Sequence, residues 1–85
     1  MSWFLYLIEC EDESIYTGIA VDVEARYKKH ASGKGARYTR SHPPKRLMAS
    51  LEFSDRATAS KAEYMVKQFS AEEKREFCRS LPKIC

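Results

Sequence analysis

With 85 residues and a formal charge of +3 at pH 7, the chain is long enough for one folded unit with one core, and too short for two. A hydrophobic fraction of 44% excludes a disordered chain, and the longest apolar run, residues 3–8, is too short to span a membrane as a helix. The N-terminus shows no basic stretch leading to a small-residue cleavage site, so a cytoplasmic protein without membrane partners is expected.

Residues 3–8, from Trp3 through Tyr6 to Ile8, are apolar on both alternating faces, which predicts a central strand covered on two sides. The polar, acidic residues 9–14 predict a turn. Residues 14–19 are rich in β-branched and aromatic side chains and predict a second strand, antiparallel to the first. Tyr6 and Tyr16 are equidistant from Glu11, which places them nearly opposite one another and on one face of the hairpin. Asp22 suits the N-cap of a helix over Val23–Ala31, with Val23, Arg26, Tyr27 and His30 on one face. Residues 32–44 hold two glycines and two prolines and predict an irregular surface segment. Residues 46–53 predict a third strand with Leu47, Ala49 and Leu51 on one face. Asp55 suits the N-cap of a helix over residues 56–69, whose apolar stripe is Ala59, Ala62, Val66 and Phe69. Ser70 and Glu73 form a capping box for a short last helix ending before Pro82. The order ββαβαα predicts one α+β domain over residues 1–85, a small three-stranded antiparallel sheet flanked by helices.

The charge is unevenly spread. Between Arg26 and Arg46 lie eight basic residues, Arg26, Lys28, Lys29, Lys34, Arg37, Arg40, Lys45 and Arg46, and no acid. Segregation of this kind suits a polyanionic partner, and it is also what a solvated basic loop looks like. The three cysteines, Cys10, Cys78 and Cys85, match no zinc spacing and read as free thiols of a reducing compartment.

Five residues could carry chemistry. Glu63 lies inside an apolar helical stripe, where a carboxylate needs a partner. A divalent metal is one such partner, and an arginine is another. Arg26 and His30 share a helix face with apolar residues, which turns both toward the sheet. There Arg26 could hold a phosphate oxygen and His30 could relay a proton, or both could be structural. Tyr6 and Tyr16, taken separately, read as core tyrosines. His42, in Ser41-His42-Pro43-Pro44, reads as a loop residue without a role.

Taken together these positions resemble the GIY-YIG nuclease superfamily, in its small stand-alone bacterial branch. The first tripeptide reads Leu5-Tyr6-Leu7 where the superfamily has Gly-Ile-Tyr, and the second reads Tyr16-Thr17-Gly18. Arg26 and His30 fall at the arginine and histidine-or-tyrosine positions of the first helix, and Glu63 at the metal-ligand position. The run Gly33-Lys34-Gly35-Ala36-Arg37-Tyr38-Thr39-Arg40 is similar to that branch's loop. The likeness spans residues 3–80. Some nucleases of the superfamily use a late asparagine, and this chain has none.

The resemblance implies a metal-dependent DNA endonuclease. Glu63 would hold one Mg²⁺ or Mn²⁺, Arg26 would stabilise the phosphate, and Tyr6 would act as the base, directly or through His30, while Tyr16 orients the water or the phosphate. Arg26 and the metal would favour the Tyr6 phenolate, giving activity that rises into mildly alkaline pH. Lys29, Lys34, Arg37, Tyr38, Arg40 and Lys45 would bind nucleic acid. Cations interleaved with an aromatic suit single-stranded, flapped or branched DNA. The short footprint leaves room for a protein partner or a second copy. The alternative is a non-catalytic nucleic-acid-binding module with the same fold.

Overall fold

The computed structural model describes residues 2–35 and 37–80. Ala36, Pro82 and Cys85, which figured in the loop, helix-end and thiol expectations, lie outside them. The chain runs β1 (Trp3–Cys10), β2 (Ile15–Ala20), α1 (Val23–Ala31), α2 (Arg37–Ser41), β3 (Pro44–Phe53), α3 (Arg56–Lys67) and α4 (Ala71–Ser80). The strands form one antiparallel sheet in the order β2-β1-β3. Among the described residues, no helix is long and apolar enough to cross a membrane.

The two-sided apolar pattern of β1 is used as expected. Leu5 and Leu7 point to one face, where they pack with Val66, Ala62, Phe77 and Cys78 of α3 and α4. Tyr6, Ile8 and Cys10 point to the other, where they meet Val23 and Tyr27 of α1 and Tyr38 of α2. The sheet is thus sandwiched between two helical layers, and its middle strand is buried on both sides.

Local capping fixes the helix starts. The Asp22 carboxylate accepts the Ala25 N–H at 3.1 Å, and the Asp55 carboxylate accepts the Thr58 N–H at 2.8 Å. Ser70 and Glu73 exchange reciprocal bonds at 2.8 and 3.1 Å, completing the capping box of α4. Helix α1 ends where Gly33 takes φ +81°, a left-handed conformation that glycine adopts freely.

Three expectations are corrected. The hairpin turns about Asp12 rather than Glu11, so Tyr6 faces Gly18 and Tyr16 faces Ile8. The cause is the turn itself, in which Glu13 adopts φ 71° and the Asp12 carboxylate accepts the Ser14 N–H. A two-residue slide leaves every side chain on its face, so the tyrosines remain neighbours, diagonal rather than opposed. Strand β3 carries a bulge: Leu7 pairs with Ala49 and Ile8 with Leu47, which leaves Met48 extra. The bulge changes which face follows, so Met48 joins Leu51 in the core and Leu47 is exposed. Finally, part of the segment expected to be irregular forms α2, a single helical turn held by packing against α1 and the hairpin.

Candidate active site

Tyr6 occupies the middle of β1 and is 2% exposed. Its hydroxyl lies 3.0 Å from His30 Nε2, projected from α1 across the sheet face. Gly18, directly across the ladder, makes room for this ring. A Cβ there would fall 2.7 Å from the Tyr6 hydroxyl oxygen and 3.0 Å from Tyr16 Cε2. The second residue of β2 supplies Tyr16, half-buried, with its ring centroid 6.2 Å from that of Tyr6 and 5.0 Å from that of His30.

His30 is 1% exposed, and its Nδ1 lies 2.7 Å from Thr39 Oγ1 on α2. Burial, reinforced by the nearby Arg26 charge, pushes its pKa below the ordinary 6.5. The ring is therefore neutral at pH 7, with one nitrogen donating and the other accepting. It links the buried hydroxyls of Tyr6 and Thr39. Gly35 lies against it, since a Cβ at that position would collide with Nδ1 and approach His30 Cα to 2.9 Å.

Tyr16 is braced from outside. Tyr38 of α2 stacks on it with centroids 5.8 Å apart, and His42 stacks on Tyr38 at 4.2 Å. His42 Nδ1 in turn lies 2.5 Å from Asp12 Oδ2, in the turn of the hairpin that carries Tyr16. His42, Thr39 and Asp12 had no expected part in the site. An Asp-x-Ser turn is legible at Asp12, but its contact with His42 spans 30 positions and has no local signature. Tyr38, expected to be a free platform for a base, is instead half-buried between Tyr16 and His42.

The expectation for Tyr6 as base meets a physical obstacle. Burial is the largest influence on its phenol and raises the pKa well above the ordinary 10, and the adjacent Tyr16 adds to that. Arg26 pulls the other way without prevailing. Tyr6 is a neutral hydroxyl in this setting. The Arg26 and Glu63 charges both enter the electrostatic surroundings of Tyr6, Arg26 lowering its pKa and Glu63, the weaker influence, raising it.

Arg26 is exposed on α1 and lines a cleft of 290 Å³ with Lys29 and Trp3. Glu63 projects from α3 with its side chain 20% exposed, and Lys67 one turn on lies 3.2 Å from its Oε2. Among the described residues, no three His, Cys, Asp or Glu side chains converge. A single, partly open carboxylate fits a hard cation that keeps much of its water and takes substrate oxygens as further ligands. Of the basic residues, Lys29, Lys34, Arg37, Arg40 and Lys45 are exposed. Arg46 is drawn away, since its Nε donates to Glu9 at 2.6 Å while Arg75 donates to the other oxygen at 2.9 Å.

Comparison with known proteins agrees with this architecture. Residues 2–76 match the family described as the GIY-YIG catalytic domain. A UPF0213 protein of Cupriavidus necator is 51% identical over 81 residues, covering 95% of this chain and 88% of its own length. The UPF0213 protein YhbQ of Escherichia coli is 49% identical over 72 residues, covering 85% of this chain and 72% of its own. The solution structure of a UPF0213 protein from Bacillus halodurans superposes with a TM-score of 0.58 at 46% identity, covering 93% of this chain and 84% of that one. That of protein EF2693 from E. faecalis gives a TM-score of 0.64 at 31% identity, covering 94% and 85%. The domain type points to nuclease chemistry in general, which is metal-dependent and acts on nucleic acid. The chain belongs to the GIY-YIG family, and its similar relatives are small UPF0213 proteins.

Proposed function

We propose that the protein is a divalent-metal-dependent endonuclease that hydrolyses DNA phosphodiester bonds, with single-stranded, flapped or branched DNA as its substrate. The observation that carries this reading is the buried contact of Tyr6 with His30, beside Tyr16 and within reach of the Arg26 and Glu63 charges.

Arg26 holds and neutralises a non-bridging oxygen of the scissile phosphate, a task suited to a guanidinium that lines a cleft beside the tyrosines. Tyr16, less buried than Tyr6 and backed by Tyr38, orients the attacking water and, as the phenolate after releasing its own proton to solvent, accepts the water's proton. Neutral Tyr6 and neutral His30 form the hydrogen-bonded support behind it, with His30 aligning the Tyr6 hydroxyl. Glu63 is the residue that would hold a Mg²⁺ or Mn²⁺ ion, which when bound supplies Lewis-acid neutralisation of the phosphate and the leaving oxygen. Lys29, Lys34, Arg37, Arg40 and Lys45 supply the backbone contacts, and Tyr38 contributes by bracing Tyr16.

The test compares the protein with Glu63→Ala on end-labelled single-stranded, duplex and flapped DNA, with Mg²⁺, Mn²⁺ or EDTA at low salt. Cutting that needs metal, is lost in Glu63→Ala and prefers single-stranded or flapped DNA is the expected result. Faster cutting of blunt duplex would overturn the substrate assignment. DNA binding without any cutting by either protein would replace the nuclease reading with that of a binding module.

A further inference from the structure

The cleft beside Arg26 has a composition that the hydrolysis itself does not use. Trp3, Ala20, Val21 and Ala25 make an apolar surface, and Arg26 and Lys29 stand with them. Val21 is 39% exposed, so its side chain is open to a ligand in the cleft. The Arg56 guanidinium lies over the Trp3 ring, 5.3 Å from its centroid, and holds the indole in place. The acid in the cleft, Asp22, already accepts the Ala25 N–H as the helix cap, so it adds little repulsion. The volume of 290 Å³ is near the lower end of small-molecule sites, roughly 300–1,000 Å³. One planar ring system fits such a space, and a base pair does not.

An apolar floor with cations beside it is the chemistry that recognises a nucleotide, with the base against carbon and the phosphate on the guanidinium. Arg26 belongs to both the cleft and the tyrosine–histidine cluster, so a nucleotide in the cleft has its phosphate next to the reacting centre. We infer that the Trp3–Val21–Ala25 cleft receives an unpaired base of the nucleotide adjoining the scissile phosphate, so that substrate is selected by the availability of a free base. The inference rests on the nuclease reading for its placement, and it deepens that reading: a base held in a stacked duplex cannot enter, whereas one in a single strand or flap can.

Trp3 is the chain's single tryptophan, so its emission reports the cleft alone. The protein is titrated in EDTA, where cutting is not read, with a single-stranded deoxyoligonucleotide, an abasic backbone of equal length, and a free deoxymononucleotide. The same titrations are run on Ala25→Phe, which fills the cleft from an exposed helical position, and on Ala25→Ser, which does not. The expected result is a change in Trp3 emission with the oligonucleotide and none with the abasic backbone. Ala25→Phe should weaken oligonucleotide binding roughly tenfold, about 1.4 kcal/mol, while Ala25→Ser stays near wild type. An equal response to the abasic backbone, or an unaltered Ala25→Phe, would overturn the inference. So would a mononucleotide that binds as tightly as the oligonucleotide, because the cleft would then serve a free small molecule. Failure of cutting in the separate nuclease assay, with these binding results intact, would sink the catalytic reading and leave the cleft standing.

Discussion

The Tyr6 hydroxyl and His30 Nε2 stand 3.0 Å apart, joining the central strand to the first helix through two side chains that are almost wholly buried. Loss of the hydroxyl removes a hydrogen bond between two buried side chains. Tyr6→Phe should therefore lower stability by about 1–2 kcal/mol, measurable by urea or thermal unfolding. Its effect on cutting should be smaller than that of Tyr16→Phe, which should cost at least ~100-fold in rate if Tyr16 handles the water's proton. Equal rate losses for the two variants would return the base role to Tyr6.

Gly18 is set by side chains rather than by backbone conformation. A methyl group there would strike the Tyr6 hydroxyl and the Tyr16 ring at 2.7 and 3.0 Å. Gly18→Ala should lose about 1–3 kcal/mol and disturb both tyrosines, so cutting should fall along with the melting temperature. A variant of wild-type stability and rate would show that the rings have room to move.

Thr17 is 2% exposed, and its Oγ1 has no hydrogen-bond partner among the described residues. It lies in β2 opposite Leu7, whose side chain packs in the α3 and α4 layer. Burying an unpaired hydroxyl is costly, so Thr17→Val should raise stability by about 1 kcal/mol and leave DNA binding unchanged. Chemical denaturation of the two proteins decides it, and a loss of stability would mean that the hydroxyl is satisfied in solution.

The pH dependence of stability should have an imidazole component and a carboxyl component, the latter shared by Asp12, by Glu9, held low by Arg75 and Arg46, and by Asp55, held low by Thr58. Hydrogen bonds from Ser14 first and His42 second hold the Asp12 carboxyl at about 2, below its ordinary 3.8. The unfolded chain then binds the proton first, so this stabilisation is present above about pH 4 and is lost as pH falls toward 2. Burial lowers His30 below 6.5 in the same sense, so a second loss begins as pH drops beneath that value. Melting temperatures across this range should show both, and Asp12→Asn should shrink the lower one, leaving the Glu9 and Asp55 share, while loosening the His42 brace. An unaltered acid limb in Asp12→Asn would show that the turn bonds carry no stability.

Much of the fold and half of the site follow from short-range chemistry. Alternating apolar residues in β1 require cover on both faces, and three side-chain caps, Asp22, Asp55 and the Ser70–Glu73 pair, start the longer helices at the expected residues. These are interactions between neighbours within a turn, so the sequence encodes them directly. The same periodicity places Arg26 and His30 on one face of α1 and fixes Tyr6 and Tyr16 on one face of the hairpin whatever its register. Tertiary structure alone decides the rest. The turn conformation at Glu13 sets the register, and the Met48 bulge chooses which residues of β3 enter the core. Packing against His30 and Tyr16 folds Arg37–Ser41 into a helix and converts Tyr38 from a surface aromatic into a brace. The Asp12–His42 and Glu9–Arg46 pairs join residues 30 and 37 positions apart, so no local pattern announces them. The pKa of Tyr6 is of this second kind: its sequence neighbours say nothing of how deeply the ring is buried, and depth of burial, more than the nearby cation, sets the direction of its shift.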